Sequence, residues 1–322
     1  MFFFVGAVTH NSYVRCRTIA LLALLCAALT SLAAPPPPGP PLAPIYRTGF
    51  EASEGYNLNL DLVGQNGWTN YGAGGNGLVN GVFPGKGQQA YIGWVNPGGS
   101  NLWVLQPLNR QFSRAQFSVT VAVFDSSNTA NYDDFQWSVF NEQGDQLFTI
   151  SLYNPDRKIY YRLDGTNDYK DSGLAFTNGI PYPLNISMSF VSNRWSAGFN
   201  GALLATNQPI TTVGAPLNLG DIDATWILTD NNAPGDNYMV FDDYTISGVV
   251  PPPGLRVIGF LSRAPVIRVS GTPDENFALD CSTNLVNWAA LKTNITTGGS
   301  FDYTDSSAVG LSRRFYRGRW VP

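Results

Sequence analysis

A chain of 322 residues is long enough for one large core and a smaller one, and a net charge of −4 disfavours nucleic acid and polyanions as its main ligands. The only histidine, His10, and two of three cysteines, Cys16 and Cys26, fall in the first 33 residues. With that segment removed, Ser-His-Asp triads, Cys-His proteases and His-ligated zinc drop out, and a lone Cys281 makes neither an internal disulfide nor a Cys-based zinc site.

The N-terminal segment reads as an export signal. Arg15 and Arg17 precede the apolar run Ile19–Leu29, which closes on Ser31-Leu32-Ala33. A positive flank, a short apolar stretch and small residues at −3 and −1 predict cleavage after Ala33, giving a signal peptide over 1–33. The run is too short for a stable membrane span, so no span is expected after cleavage, and the mature chain is expected outside the cell or on its surface. A proline-rich linker over 34–45 follows.

From 46 to 248 the apolar period is two. Phe117, Val119, Val121 and Val123 alternate with Ser118, Thr120 and Ala122; Phe135, Trp137 and Val139 with Gln136 and Ser138. Ile159, Tyr161 and Leu163 alternate with Tyr160 and Arg162, and Leu184, Ile186, Met188 and Phe190 with Asn185, Ser187 and Ser189. This pattern predicts half-buried antiparallel strands, separated by turns at 141–145, Asp164-Gly165 and Asn200-Gly201. No amphipathic helix is expected after residue 34. The fold class is therefore all-β: an antiparallel β-sandwich of jelly-roll type, then a Pro-rich linker over 249–254 and a small β-module over 255–322. Residues 35–254 carry nine Lys+Arg against 18 Asp+Glu, net −9, and residues 255–322 carry eight against five, net +3. The basic module is a candidate for contact with an anionic envelope surface, with an ordinary solvated strand edge as the alternative.

Trp195-Ser-Ala-Gly-Phe-Asn-Gly-Ala-Leu-Leu204 resembles the W…NG…L hairpin of concanavalin-A-like (laminin-G-like) jelly rolls. Gly49-Phe50-Glu51 with Gly64-Gln-Asn-Gly-Trp68 is similar to the opening of such domains in secreted bacterial proteins, and Asp242-Asp243-Tyr244 to their last strand. Phe277–Trp288, Phe301–Asp305 and Arg313–Arg317 resemble a C-terminal module of verrucomicrobial and planctomycete secreted proteins. Its expected core is Phe277, Leu279, Cys281, Trp288, Phe301 and Tyr303.

The resemblance implies a structural Ca²⁺ shared by Glu51 and Asp242. Alternation supports it by placing Asp242 on one face with Val240, Tyr244 and Ile246, where a buried carboxylate needs a hard cation. It also implies that the concave sheet is the glycan surface. The residues expected to contact the ligand are Gln136, Tyr153, Tyr160, Arg162 and Asn185, because tyrosine rings stack on sugar C–H faces while amide and guanidinium groups bond hydroxyls. Trp68, Tyr71, Trp94 and Trp103 form a rival platform. Asp221, Asp223, Asp230 and Asp236 read as turn residues.

No catalytic residue is assigned: the Glu-x-Asp-x-x-Glu string of glucanase-type jelly rolls is absent. The expected function is a secreted or surface-displayed, non-catalytic module binding a neutral polysaccharide or an extracellular matrix component. The alternatives are a hydrolase or lyase using carboxylate or tyrosine chemistry, such as a Tyr160/Arg162 lyase, and a purely structural envelope protein.

Overall fold

Successive side chains of an extended strand point to opposite faces, so an apolar residue at every second position commits one face to a core. Phe117, Val119, Val121 and Val123 are all buried, as are Leu184, Ile186 and Met188 on the neighbouring strand. The computed structural model describes residues 42–94, 100–108, 110–127, 132–232 and 235–322. The expected signal peptide, with His10, Cys16 and Cys26, and most of the first proline-rich linker lie outside the described residues.

Among the described residues, fifteen strands precede the second proline run: β1 (Ala43–Thr48), β2 (Thr69–Gly72), β3 (Asn76–Asn80), β4 (Gln88–Gly93), β5 (Leu102–Leu105), β6 (Arg114–Phe124), β7 (Asp134–Phe140), β8 (Gln146–Tyr153), β9 (Lys158–Leu163), β10 (Lys170–Ala175), β11 (Tyr182–Ser189), β12 (Arg194–Phe199), β13 (Ala202–Gln208), β14 (Asp221–Ile227) and β15 (Tyr238–Val249). One sheet runs β13-β12-β11-β6-β15-β4-β3, with β1 also paired to β15; the other runs β10-β9-β8-β7-β14-β5-β2. The pairings are antiparallel, and neighbours distant in sequence, such as β6 and β15, mark a jelly-roll sandwich. The β12–β13 hairpin turns at Asn200 (φ 49°) and Gly201 (φ 78°); two left-handed residues match the twist of the flanking strands.

Trp137 from the seven-stranded sheet fills the space between the sheets, with ring centroids 5.1 Å from Phe117 and 5.3 Å from Phe241 of the other sheet. Phe50, Trp68 and Tyr244 extend this aromatic core. Trp68 is therefore a core residue, its indole Nε1 donating to the Tyr56 hydroxyl at 2.9 Å.

A register break in β15 corrects the expected facing of Asp242. Asp243 takes φ 54° and the ladder to β6 shifts between Asp242 and Thr245. Phe241 and Tyr244 consequently both face the main core, and Asp242 shares the opposite face with Val240, which packs in a small cluster with Phe83 and Ala122. At this break β15 exchanges β4 for β1 as its neighbour on that edge.

The remaining strands are β16 (Gly254–Leu261), β17 (Ala264–Ser270), β18 (Asn276–Ser282), β19 (Ala289–Ile295), β20 (Ser300–Thr304) and β21 (Phe315–Trp320). They form two three-stranded sheets, β16-β17-β20 and β19-β18-β21, around Ile267, Val269, Phe277 and Leu279. Phe301 and Tyr303 pack on this core and Cys281 is buried and unpaired. Trp288 is instead half-buried, beneath the Arg317 guanidinium at 4.4 Å, so its ring serves a cation–π contact. Arg317 and Arg319 both reach Asp280 at 3.1 Å, and Arg110 of the sandwich reaches Glu275 at 3.0 Å.

Candidate functional site

The outer face of the seven-stranded sheet carries a groove of about 850 Å³. Strand register builds its floor. One row runs Tyr71 (β2), Trp103 (β5), Thr225 (β14), Gln136 (β7), Ser151 (β8) and Tyr160 (β9). The next runs Asp223, Ser138, Thr149 and Arg162. The 141–144 turn, Leu108 and Gly220 form one wall; Tyr169, from the β9–β10 connection, stands over the other end. The Leu108 amide donates to the Gly220 carbonyl at 2.8 Å and holds that wall to the sheet.

Polar groups across this floor are largely wired to one another. Arg162 donates to Gln146 Oε1 at 2.5 Å, and Gln146 Nε2 donates to Thr149 Oγ1 at 2.6 Å. Gln136 Nε2 donates to Asp134 and, at 2.9 Å, to the Tyr169 hydroxyl. Ser151 donates to Asp134 at 2.6 Å. Burial pushes the Asp134 carboxyl up to about 6 despite these donors and the nearby Arg162 charge. Asp221 and Asp223 lie two residues apart on the same face of β14, with their carboxyls in contact. Burial, then the neighbouring carboxylate, holds Asp223 well above the usual carboxylate range.

Of the expected ligand residues, Gln136 and Arg162 line the groove. Tyr153 and Tyr160 share its strand face beyond the cavity: their rings meet edge-on at 6.0 Å, and Tyr160 donates to Asp156 at 2.5 Å. Asn185 does not join them. It sits on β11 of the other sheet, opposite Ser118 and Gly198, because alternation selects a face and not a sheet. From the rival platform, Tyr71 (70% exposed) and Trp103 line the groove. Trp94 packs on Tyr238 of the eight-stranded sheet, centroids 4.9 Å apart.

Asp221 and Asp223 were expected in turns and are strand residues. The signal was present: Asp221, Asp223 and Thr225 alternate with buried Ile222, Ala224 and Trp226.

Glu51 and Asp242 line one cavity of about 420 Å³, beside the point where β15 changes partner. Asp242 is 2% exposed, and burial, reinforced by the Asp243 and Glu51 charges, raises its carboxyl to about 6. Lys86 is engaged by Asp243 at 2.8 Å. Glu51 and Asp242 are carboxylates of the type that could hold a hard, oxygen-seeking cation; no group of three or more His, Cys, Asp or Glu poised for a metal occurs among the described residues.

No protein-family model and no curated protein matches the chain. Solved structures similar to it include a sialidase at 10% identity and TM-score 0.44, covering 56% of this chain and 17% of that one. The cellulose-induced protein Cip1 is 10% identical with TM-score 0.42, covering 56% and 91%. Arcelin-5, a lectin-like defense protein from Phaseolus vulgaris, is 9% identical with TM-score 0.40, covering 58% and 94%. This chain thus spans about a sixth of the sialidase's length.

Proposed function

We propose that this protein is an exported module that binds a neutral glycan along the groove of its seven-stranded sheet without cleaving it. The observation that carries this reading is the groove itself: an 850 Å³ channel with aromatic rings at one end and a floor of amide, hydroxyl and guanidinium groups. Tyr71 and Trp103 offer apolar faces for sugar C–H groups, and Gln136, Gln146 and Arg162 offer hydroxyl partners. Three acidic side chains lining it, Glu142, Asp221 and Asp223, against a single arginine disfavour an anionic polymer there.

The carboxylates support binding over hydrolysis. Glycosidases hold their carboxyl pair about 5–5.5 Å apart (retaining) or about 6.5–9.5 Å apart (inverting), with the scissile bond between. Asp221 and Asp223 touch each other and leave no room for that bond. Asp134 lies in register with Ile227, four residues along from Asp223, roughly 13 Å at the usual strand rise.

Calcium, in this reading, is held by Glu51 and Asp242 and fixes the β1 end against β15. When bound, it would neutralise the buried Asp242 carboxylate together with the half-buried Glu51 lining the same cavity. Arg15, Arg17 and the apolar run after them support export, and the basic 255–322 module suits attachment to an anionic envelope surface.

Retention on a panel of insoluble and gelled neutral polysaccharides tests the proposal, with reducing ends and unsaturated products counted in the same tubes. Retention without new ends is the expected result. Released ends would overturn the binding reading in favour of an enzyme, and no retention on any glycan would favour a structural role.

A further inference from the structure

The groove floor holds two oxygens that the protein itself leaves open. Among the described residues no N–H or hydroxyl reaches Asp223 Oδ1, and Thr225 Oγ1 is equally without a partner. Both residues are buried, at 3% and 0% exposure. Asp221, Asp223, Thr225 and Ile227 share one face of β14, and Asp221, Asp223 and Ile227 line the groove, so the open oxygens sit on its side of the sheet. A buried polar atom without a partner costs about 1–3 kcal/mol, and native proteins seldom leave one without reason.

The charge balance points the same way. Two carboxyls in contact, mostly out of water, call for either a shared proton or a compensating cation. Arg162, the one cationic side chain lining the groove among the described residues, lies in the Asp223 row but three strands away, roughly 14 Å at the usual strand spacing. Its guanidinium is already committed to Gln146. A proton shared by the two carboxyls relieves their repulsion but supplies nothing to Thr225 Oγ1. A hard divalent cation takes both carboxylates, accepts a neutral oxygen beside them, and keeps coordination positions for water or for ligand hydroxyls.

We propose that Asp221 and Asp223 form a divalent-cation site of the Ca²⁺ class in the groove, separate from Glu51 and Asp242, with Thr225 Oγ1 as an added oxygen. The open positions of the cation face the groove and coordinate vicinal hydroxyls of the glycan. This second half rests on the glycan reading above; the cation site does not. Trp103, beside Thr225 in the strand register, reports on the site optically.

Calorimetric titration of the full chain with Ca²⁺ alone, on wild type, Asp223→Asn and Asp221→Asn, tests the site. Loss of one equivalent in either variant, with the melting temperature in chelator unchanged, is the expected result. Stoichiometry and affinity equal to wild type would overturn the proposal. Should a variant fold poorly, Tb³⁺ luminescence excited through indole in the wild type decides: emission lost in Trp103→Phe supports the site, and emission indifferent to that change refutes it. Glycan retention with and without chelator tests the bridging role. At least tenfold weaker retention in chelator, matched by Asp223→Asn, supports bridging. Chelator-indifferent retention refutes bridging and leaves glycan binding standing, whereas absent retention with an intact Ca²⁺ equivalent strikes only the glycan reading.

Discussion

The two sheets turn similar alternating strands outward and present very different surfaces. On the eight-stranded sheet the outward residues of β11, Asn185 and Ser187, are open to solvent. On the seven-stranded sheet Gln136, Ser138, Thr149, Ser151, Asp223 and Thr225 also point away from the core, yet each is at most 4% exposed. They are roofed by their own long neighbours, Gln146 and Arg162, and by Trp103 and Tyr169, and are flanked by the 141–144 wall. Exposed serine and asparagine need only water. Sheltered hydroxyls, amides and carboxylates must find partners, and those that do not are where a ligand belongs. Burial of polar groups, more than their presence, therefore separates a site from a solvated face.

The largest expected effect strikes the layer both faces share. Trp137→Ala should cost about 3–5 kcal/mol in chemical denaturation, because a fully buried indole between Phe117 and Phe241 leaves a cavity that neither sheet can close. Next is the sheltered face's own pH signature. The folded Asp134 carboxyl, raised to about 6, holds its proton more tightly than the unfolded one, so the stability it contributes is complete below the ordinary aspartate pKa and is lost as pH rises through about 6. Asp134→Asn should remove this component, about 3 kcal/mol, from denaturation profiles between pH 4 and 7. An unchanged profile would mean that the face is wetter than its geometry shows.

Binding separates the faces more finely. Tyr71→Ala with Trp103→Ala should weaken glycan binding by about tenfold or more in affinity electrophoresis with the melting temperature nearly unchanged, as expected for aromatic anchors. Tyr160→Ala, beyond the cavity, should change it by less than about threefold, a hydrogen bond's worth at most. Asn185→Ala on the opposite sheet should have no effect, and a loss there as large as in the Tyr71/Trp103 variant would move the site to the eight-stranded sheet. The smallest signal is Ca²⁺ stabilisation through Glu51 and Asp242. It should raise the melting temperature by a few degrees at pH 7 and by less at pH 5, where protons compete for Asp242; in an Asp223→Asn background, which lacks the groove site, Asp242→Ala should abolish it.

How much of this was legible in the residues varies with the range of the interaction involved. The strand faces at Phe117–Val123, Phe135–Val139 and Leu184–Phe190 follow from alternation alone, as does the Asn200-Gly201 hairpin from its dipeptide. Gln136 and Arg162 could be placed on a polar face in the same way. Asn185 carries the same local signature, and nothing within its strand says that β11 pairs with β6 and β12 instead of joining β7 and β9. Asp242 escaped because one left-handed residue, Asp243, reverses the facing of everything beyond it. Asp221 and Asp223 looked like turn formers because aspartate favours turns; the buried Ile222, Ala224 and Trp226 between and beyond them set them in a strand.

The sequence by itself determined the secondary-structure class, the inward and outward members of most strands, and the histidine-free chemistry of the chain beyond residue 33. These are local matters, settled by side-chain period, turn dipeptides and residue inventory. Tertiary structure decided which strands became neighbours, which polar face was roofed, and where two aspartates met out of water. Those outcomes depend on pairings between residues as distant as Trp103 and Thr225, and no local pattern encodes the partner of a strand.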